Sequence, residues 1–160
     1  SRARLQETLP QAGYGQGDVV ATPLRMARVV AALANGGVLG EAHVEMHGAP
    51  DAKKPVKRER LLSPAGAATL RRFMRDGVLQ GTGRALKSHP LRVAGKTGTA
   101  EVAGQASHSW FVGFAPYDAP ADARRIAFAV IVENAGYGGS AAANAAGEIV
   151  TAAGAAGLVK

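Results

Sequence analysis

The chain of 160 residues contains no cysteine. Disulfides, thiolate metal sites and cysteine nucleophiles are therefore excluded, while the compartment stays open, because proteins on either side of a membrane can lack cysteine. Aromatic residues are scarce at 5%. Long apolar runs are missing too: none reaches the roughly 18 residues that a membrane-spanning helix needs, and nothing at the start reads as a signal peptide. The opening Ser1-Arg-Ala-Arg reads as the middle of a longer polypeptide. Acidic residues are the minority, 12 against 19 Lys and Arg, for a net charge of +7. That balance favours an anionic partner in general terms. The basic runs, Lys53 to Arg60 and Arg71 to Arg75, carry neither a nucleic-acid-binding motif nor interleaved aromatic residues. They read as solvated basic faces, and nucleic acid is not an expected partner.

What is present describes one globular domain: 47% hydrophobic and 19% charged residues over a length sufficient to bury a core. A helix is predicted over about 22–37, with Thr22 as cap, Pro23 in the first turn and Gly36-Gly37 as a left-handed exit. Its small-residue face is Ala27, Val30, Ala31 and Ala34. A second helix is predicted over about 64–80 after Ser63, with Leu70, Phe73, Met74 and Val78 turned inward, ending near Gly81-Thr-Gly83. The period then changes to that of strands, over about 91–100, 107–115 and 125–133. Their links are too short for a crossover helix, so neighbours should pair antiparallel. An alanine-rich helix over about 140–158 follows and should cover one sheet face, which makes the fold class α+β, an antiparallel sheet covered by helices. The segment 50–60 reads as a surface loop.

Within the first predicted strand lies Gly95-Lys-Thr-Gly-Thr99. Gly-Lys-Thr suggests a phosphate-binding loop, but that motif needs a glycine where this chain has Pro90, and a helix rather than a strand afterwards. As a strand, the segment puts Thr97 and Thr99 on one face, with Gly98 between them leaving room for a ligand backbone. Lys96 points to the opposite pleat. It can join the threonines only if a groove meets the strand side-on. A main-chain N–H outside the ladder, that of Thr99, is a candidate oxyanion donor. An ordinary solvent-facing strand has the same composition, so the residues alone leave both readings open.

Four stretches taken together resolve that choice. "GYGQGDVVATPLRMARVVAALANGG" (13–37), "GTGRA" (81–85), "GKTGTAE" (95–101) with "SWFVGFAP" (109–116), and "AFAVIVENAGYGG" (127–139) resemble, in this order, the penicillin-binding protein transpeptidases. Ala100-Glu101 leans toward the monofunctional, class B branch. The resemblance implies a β-lactamase/transpeptidase-like fold whose sheet has five strands, two of them from polypeptide upstream. It implies that Lys96 stabilises negative charge and orients the nucleophile's hydrogen bonds. Thr97 and Thr99 would hold the carboxylate of a D-alanyl-D-alanine stem peptide or a β-lactam, Gly98 would leave room, and the Thr99 amide would form half of an oxyanion hole. A charge-assisted hydrogen bond to carboxylate contributes roughly 1.5–3 kcal/mol and one oxyanion donor about 2.7–4 kcal/mol.

The family's Ser-x-x-Lys and Ser-x-Asn motifs are absent: none of Ser1, Ser63, Ser88, Ser107, Ser109 and Ser140 has lysine three residues on or asparagine two residues on. The chain thus reads as the C-terminal part of a transpeptidase domain. It is expected to be inactive alone, since losing a nucleophile costs on the order of a million-fold in rate. The resemblance further implies no metal or cofactor, a location outside the cytoplasmic membrane, and an anchor on a segment not contained here. Expected partners are stem peptides and β-lactams, plus either the missing N-terminal part or self-association through the unpaired strand edge. A D,D-carboxypeptidase or a non-catalytic β-lactam sensor shares this groove, and a nucleotide-binding protein is the outsider.

Other residues read more plainly. His43, Glu45 and His47 alternate as metal ligands in a strand do, but a polar solvent face is the simpler reading. His108 is placed for a general base, yet the resembling family uses none there. Trp110, Val112 and Phe114 read as core. Gln16 and Asp18 sit in a glycine turn that either faces the groove or only turns the chain, and Glu101 is a candidate for the groove rim.

Overall fold

The computed structural model describes residues 2–42, 57–120 and 123–159. His43, Glu45, His47, Lys53 and Lys54 lie outside them. A first helix, α1 (Arg2–Ala12), runs through Pro10 and is closed by the Gly13 N–H on the Leu9 carbonyl at 3.0 Å. The sequence signals did not anticipate it, because an internal proline argues against a helix. Helix α2 (Pro23–Ala34) begins as expected: the Thr22 hydroxyl accepts from the Arg25 N–H at 3.2 Å, with Pro23 in the first turn. Its buried residues are Val30, Ala32 and Ala34.

Two short strands follow, β1 (Val38–Gly40) and β2 (Arg58–Arg60), paired antiparallel with Leu39 opposite Glu59. The end of the 50–60 segment is therefore a strand and not a loop. Arg60 Nη1 explains the change by donating to the Gly36 and Leu62 carbonyls at 3.3 and 3.1 Å. Helix α3 (Pro64–Leu79) is capped by the Ser63 hydroxyl, which accepts from the Gly66 N–H at 3.1 Å. Its buried stripe is Ala67, Met74, Arg75 and Val78. Leu70 and Phe73, expected inside, are 39% and 55% exposed. Phe73 is instead covered by the Arg72 guanidinium at 5.6 Å from its ring centroid, where the cation meets the ring face.

The central sheet has the order β3 (Ala94–Ala100), β4 (His108–Ala115), β5 (Ile126–Val132), antiparallel throughout, with Thr97 opposite Phe111 and Phe111 opposite Val130. Helix α4 (Ala141–Ala155) closes one face, burying Ala142, Ala143, Ala146 and Val150 against Phe111 and Phe128. The two rings stack at 6.1 Å. Alanine and glycine let this helix lie close: a Cβ on Gly147 would stand 2.8 Å from Leu86 Cδ2, and one on Gly154 2.9 Å from Leu91 Cδ1. The other face packs Ala94 and Phe114 against Val30 and Ala34 of α2 and Met74 of α3. Phe114 is core as expected, whereas Trp110 and Val112 are half-buried.

Two arginines of the run read as a solvated face, Arg71 and Arg75, instead serve the structure, and Arg92 and Arg125 join them. Arg71 Nη2 donates to the Tyr117 carbonyl at 3.1 Å with its guanidinium over the Phe114 ring, and Arg92 pairs with Asp118 at 2.7 Å. Arg125 donates to the Ala119 and Pro120 carbonyls. Arg75 is 7% exposed and donates from Nη1 to the Val93 carbonyl at 2.6 Å. Burial, and then repulsion from Arg92, lower its pKa. Arg71, Arg75 and Arg125 satisfy carbonyls that the loop after β4 and the approach to β3 would otherwise leave bare.

Candidate functional site

The Gly-Lys-Thr-Gly-Thr segment lies within β3, and β4 follows across a turn. It is an edge strand among the described residues, with β4 on one side only. A phosphate loop wrapping into a helix is thereby excluded. In an antiparallel strand a residue sends its N–H and C=O to the same side, and successive residues alternate. The contacts of β3 follow that alternation. The Gly95 carbonyl faces Gly77 of α3, where a Cβ would stand 3.2 Å away. The Thr97 carbonyl accepts from Lys96 Nζ at 2.8 Å, and the Thr99 carbonyl from Gln16 Nε2 at 3.0 Å. Gly95, Thr97 and Thr99 therefore present their main-chain polar groups to the outer edge.

The lysine accordingly does not stay on the far pleat. Its side chain curls to the outer edge, where the ammonium reaches the Thr97 carbonyl. Thr97 is 7% exposed, and its hydroxyl oxygen lies 2.5 Å from that of Thr82. Thr99 is exposed, and its hydroxyl accepts from the Gly138 N–H at 3.3 Å. Because the Thr99 oxygen accepts that bond, its own proton is left to donate elsewhere. Gly98 sits opposite Trp110.

Two chain segments build the surroundings. Helix α3 approaches β3 through Gly77, and the Gly83 N–H folds back onto the Gly77 carbonyl at 3.0 Å, which brings Thr82 to Thr97. After β5 the loop returns across the sheet: the Asn134 N–H donates to His108 Nδ1 at 3.0 Å, and the Gly136 N–H to the Ser107 carbonyl at 2.8 Å. The fully buried Ser109 donates to the Tyr137 carbonyl at 3.1 Å and accepts from the Ala142 N–H at 3.1 Å, tying this loop to α4. At Gly138 the loop touches β3 so closely that a Cβ would stand 2.1 Å from the Gly98 carbonyl oxygen. Between the loop and the end of α3 lies a cleft of about 520 Å³, walled by Gln80, Gly81, Thr82, Arg84 and Ala85 on one side and Tyr137 and Gly139 on the other.

Of the expected residues, Lys96, Thr97, Gly98 and Thr99 stand together along one edge, and Gln16 joins them at Thr99. Glu101 follows the strand end and is exposed. Asp18 lies in the Gln16 turn, also exposed. His108 holds the loop after β5 and does no more at this edge. Sequence reasoning passed over Thr82 and Gly138. The only signals were a threonine between two glycines and the pair Gly138-Gly139.

A helix-covered antiparallel sheet with a Lys-Thr-Gly edge strand defines a protein of the penicillin-recognising class. The chain belongs to the penicillin-binding protein transpeptidase family: the sequence model of the penicillin binding protein transpeptidase domain matches residues 2–151. It is 37% identical to the peptidoglycan D,D-transpeptidase MrdA of Acinetobacter baumannii, over 80% of this chain and 22% of that protein. It is 35% identical to the peptidoglycan D,D-transpeptidase PbpA of Mycolicibacterium smegmatis, over 80% of this chain and 27% of that protein. Among solved structures, a chain of a peptidoglycan synthase complex superposes with a TM-score of 0.80 at 28% identity, over 95% of this chain and 28% of the other. Penicillin-binding protein A of M. tuberculosis, as its imipenem acyl-enzyme complex, gives 0.66 at 34% identity, over 86% and 32%. The chain thus spans about a quarter of the length of the curated relatives it matches.

Proposed function

We propose that this chain forms the Lys-Thr-Gly wall of a serine D,D-transpeptidase groove, and that the nucleophilic serine and its lysine come from polypeptide outside these 160 residues. The observation that carries the proposal is the Lys96 ammonium at the outer edge of β3, beside the outward main-chain groups of Thr97 and Thr99. Lys96 brings a full positive charge to that edge. Thr99, its oxygen already holding the Gly138 N–H, has its proton to give to a carboxylate. The Thr99 N–H points the same way as its carbonyl, out of the sheet, where it meets an oxyanion. The ligand is the D-alanyl-D-alanine end of a stem peptide, or a β-lactam that imitates it.

The serine oxygen attacks the penultimate D-alanine carbonyl, the tetrahedral oxyanion collapses, and the terminal D-alanine leaves with the proton. An amine from a neighbouring strand then takes the acyl group and regenerates the serine. The work lies outside the cytoplasmic membrane, where peptidoglycan is. The described residues contain no helix long and apolar enough to cross a membrane. The partner that completes the groove is the serine-bearing segment. A second copy of β3 has less to pair with, since the outer carbonyls of Thr97 and Thr99 are already met by Lys96 and Gln16.

Fluorescent penicillin tests this. The 160-residue chain by itself takes up no covalent label. Joined to a segment bearing Ser-x-x-Lys and Ser-x-Asn, it is labelled, and Lys96→Ala slows labelling roughly 10- to 150-fold, the loss of one charge-assisted hydrogen bond. Robust labelling of the isolated chain, or an unchanged rate in Lys96→Ala, defeats the proposal.

A further inference from the structure

We propose that Thr82 is a positioning residue for Thr97: its hydroxyl donates to Thr97 Oγ1 and thereby turns the Thr97 proton toward the acid end of the ligand. The inference rests on the proposed carboxylate-binding role of Thr97. The two oxygens lie 2.5 Å apart, so one proton occupies the space between them, and either residue could supply it. A carboxylate only accepts hydrogen bonds. For Thr97 to serve one, its single proton must point at the ligand, and the proton between the hydroxyls must then be that of Thr82.

The surroundings fit this direction. Thr97 is 7% exposed and opposite the buried Phe111, which restricts where its hydroxyl can turn. Thr82 is held by the fold: the end of α3 reaches β3 through Gly77, the Gly83 N–H binds the Gly77 carbonyl, and a Cβ on Gly139 would stand 2.7 Å from the Thr82 carbonyl oxygen. Thr82 also lines the cleft between the end of α3 and the loop after β5. With its proton committed to Thr97, Thr82 does not itself donate to the ligand. It acts through its neighbour, in the way that Gly138 leaves the Thr99 hydroxyl free to donate.

The test is a double-mutant cycle in the catalytically complete chain, with acylation rates measured for a penicillin and for a β-lactam of the same scaffold lacking the carboxylate. Thr82→Val, which keeps the shape and removes the proton, slows acylation by the penicillin roughly three- to ten-fold, the equivalent of one neutral hydrogen bond. Thr82→Ser restores the rate. The carboxylate-free compound is unaffected, and Thr82→Val adds nothing once Thr97→Val is present. A full effect of Thr82→Val in the Thr97→Val background overturns the proposal, because Thr82 would then be touching the ligand itself. No effect, or an equal effect on both compounds, overturns it as well. If Thr82→Val unfolds, Thr82→Cys, of similar size and a weak donor, carries the same comparison. A Thr97→Val variant with an undiminished rate toward the penicillin instead refutes the carboxylate-binding role of Thr97, a separate failure.

Discussion

Replacing Gly138 with alanine is the sharpest perturbation of the link between fold and groove. The added Cβ would stand 2.1 Å from the Gly98 carbonyl oxygen, 2.9 Å from the Gly98 carbonyl carbon and 2.8 Å from the Trp110 carbonyl oxygen. All three atoms are main chain within the β3–β4 ladder, so no side chain can swing aside. Either the loop lifts from the sheet or the strand bends. Overpacking of this kind costs typically 1–3 kcal/mol. Lifting the loop also breaks the 3.3 Å bond from the Gly138 N–H to the Thr99 hydroxyl, worth about 1 kcal/mol. The sum is about 2–4 kcal/mol, which for a chain of this size lowers Tm by roughly 4–16 °C.

Thermal unfolding of Gly138→Ala beside Gly40→Ala measures the effect. A Cβ on Gly40 meets nothing within 4 Å, so that variant reports the generic consequence of adding a methyl group to a strand. Penicillin labelling in the catalytically complete chain should fall with Gly138→Ala, since the Thr99 hydroxyl loses its fixed orientation. If Gly138→Ala melts within about 2 °C of Gly40→Ala, the close approach of loop and strand is not a feature of the folded protein, and the derived position of the Thr99 hydroxyl goes with it.

Three further outcomes follow from the packing. Phe111→Ala removes a fully buried ring stacked on Phe128 and should destabilise the chain by about 3–5 kcal/mol in urea unfolding. Gly147→Ala should stay within about 1 kcal/mol of the parent by the same assay, because the 2.8 Å contact is with the flexible tip of Leu86 and the helix gains propensity in return. Arg75→Ala should cost about 2–4 kcal/mol, because it leaves both a cavity and a bare Val93 carbonyl; equal stability would show the guanidinium bond to be dispensable.

The elements that could be read from sequence are those whose residues specify them locally. Thr22-Pro23 and Ser63-Pro64 cap helices through their own hydroxyls. The three central strands stand out through β-branched and aromatic residues joined by short links. Where local signals compete with packing, the reading slipped. Leu91 to Val93, expected in the first strand, precede β3 in a turn in which Arg92 adopts φ 43° and binds the His89 carbonyl at 2.9 Å. Leu91 is apolar because it meets Gly154 of α4, not because it is in a strand. Leu70 and Phe73 have the helical spacing of core residues, but the buried stripe of α3 passes beside them. In the site, Lys96, Thr97, Gly98 and Thr99 were legible because their chemistry lies in one short run. Thr82 and Gly138 were not, since their value comes from contacts made by segments distant in sequence.

The two covered faces of the sheet bear on how a ligand reaches this run. Beside Thr97, at Phe111, α4 closes one face of the sheet, while α2 and α3 close the other around Ala94 and Phe114. Under the proposed function, a peptide therefore has the outer edge of β3 from Thr97 onward as its approach, alongside the strand as an added strand would lie. In that geometry the main-chain groups of Thr97 and Thr99 face the newcomer, those of Gly95 are covered by Gly77 of α3, and the even-numbered residues stay with β4. This explains why the carbonyls of Thr97 and Thr99 are met by Lys96 and Gln16. With the acceptors occupied, the edge offers mostly donors and positive charge, which suits the acid end of a peptide better than another strand, whose carbonyls and N–H groups both need partners.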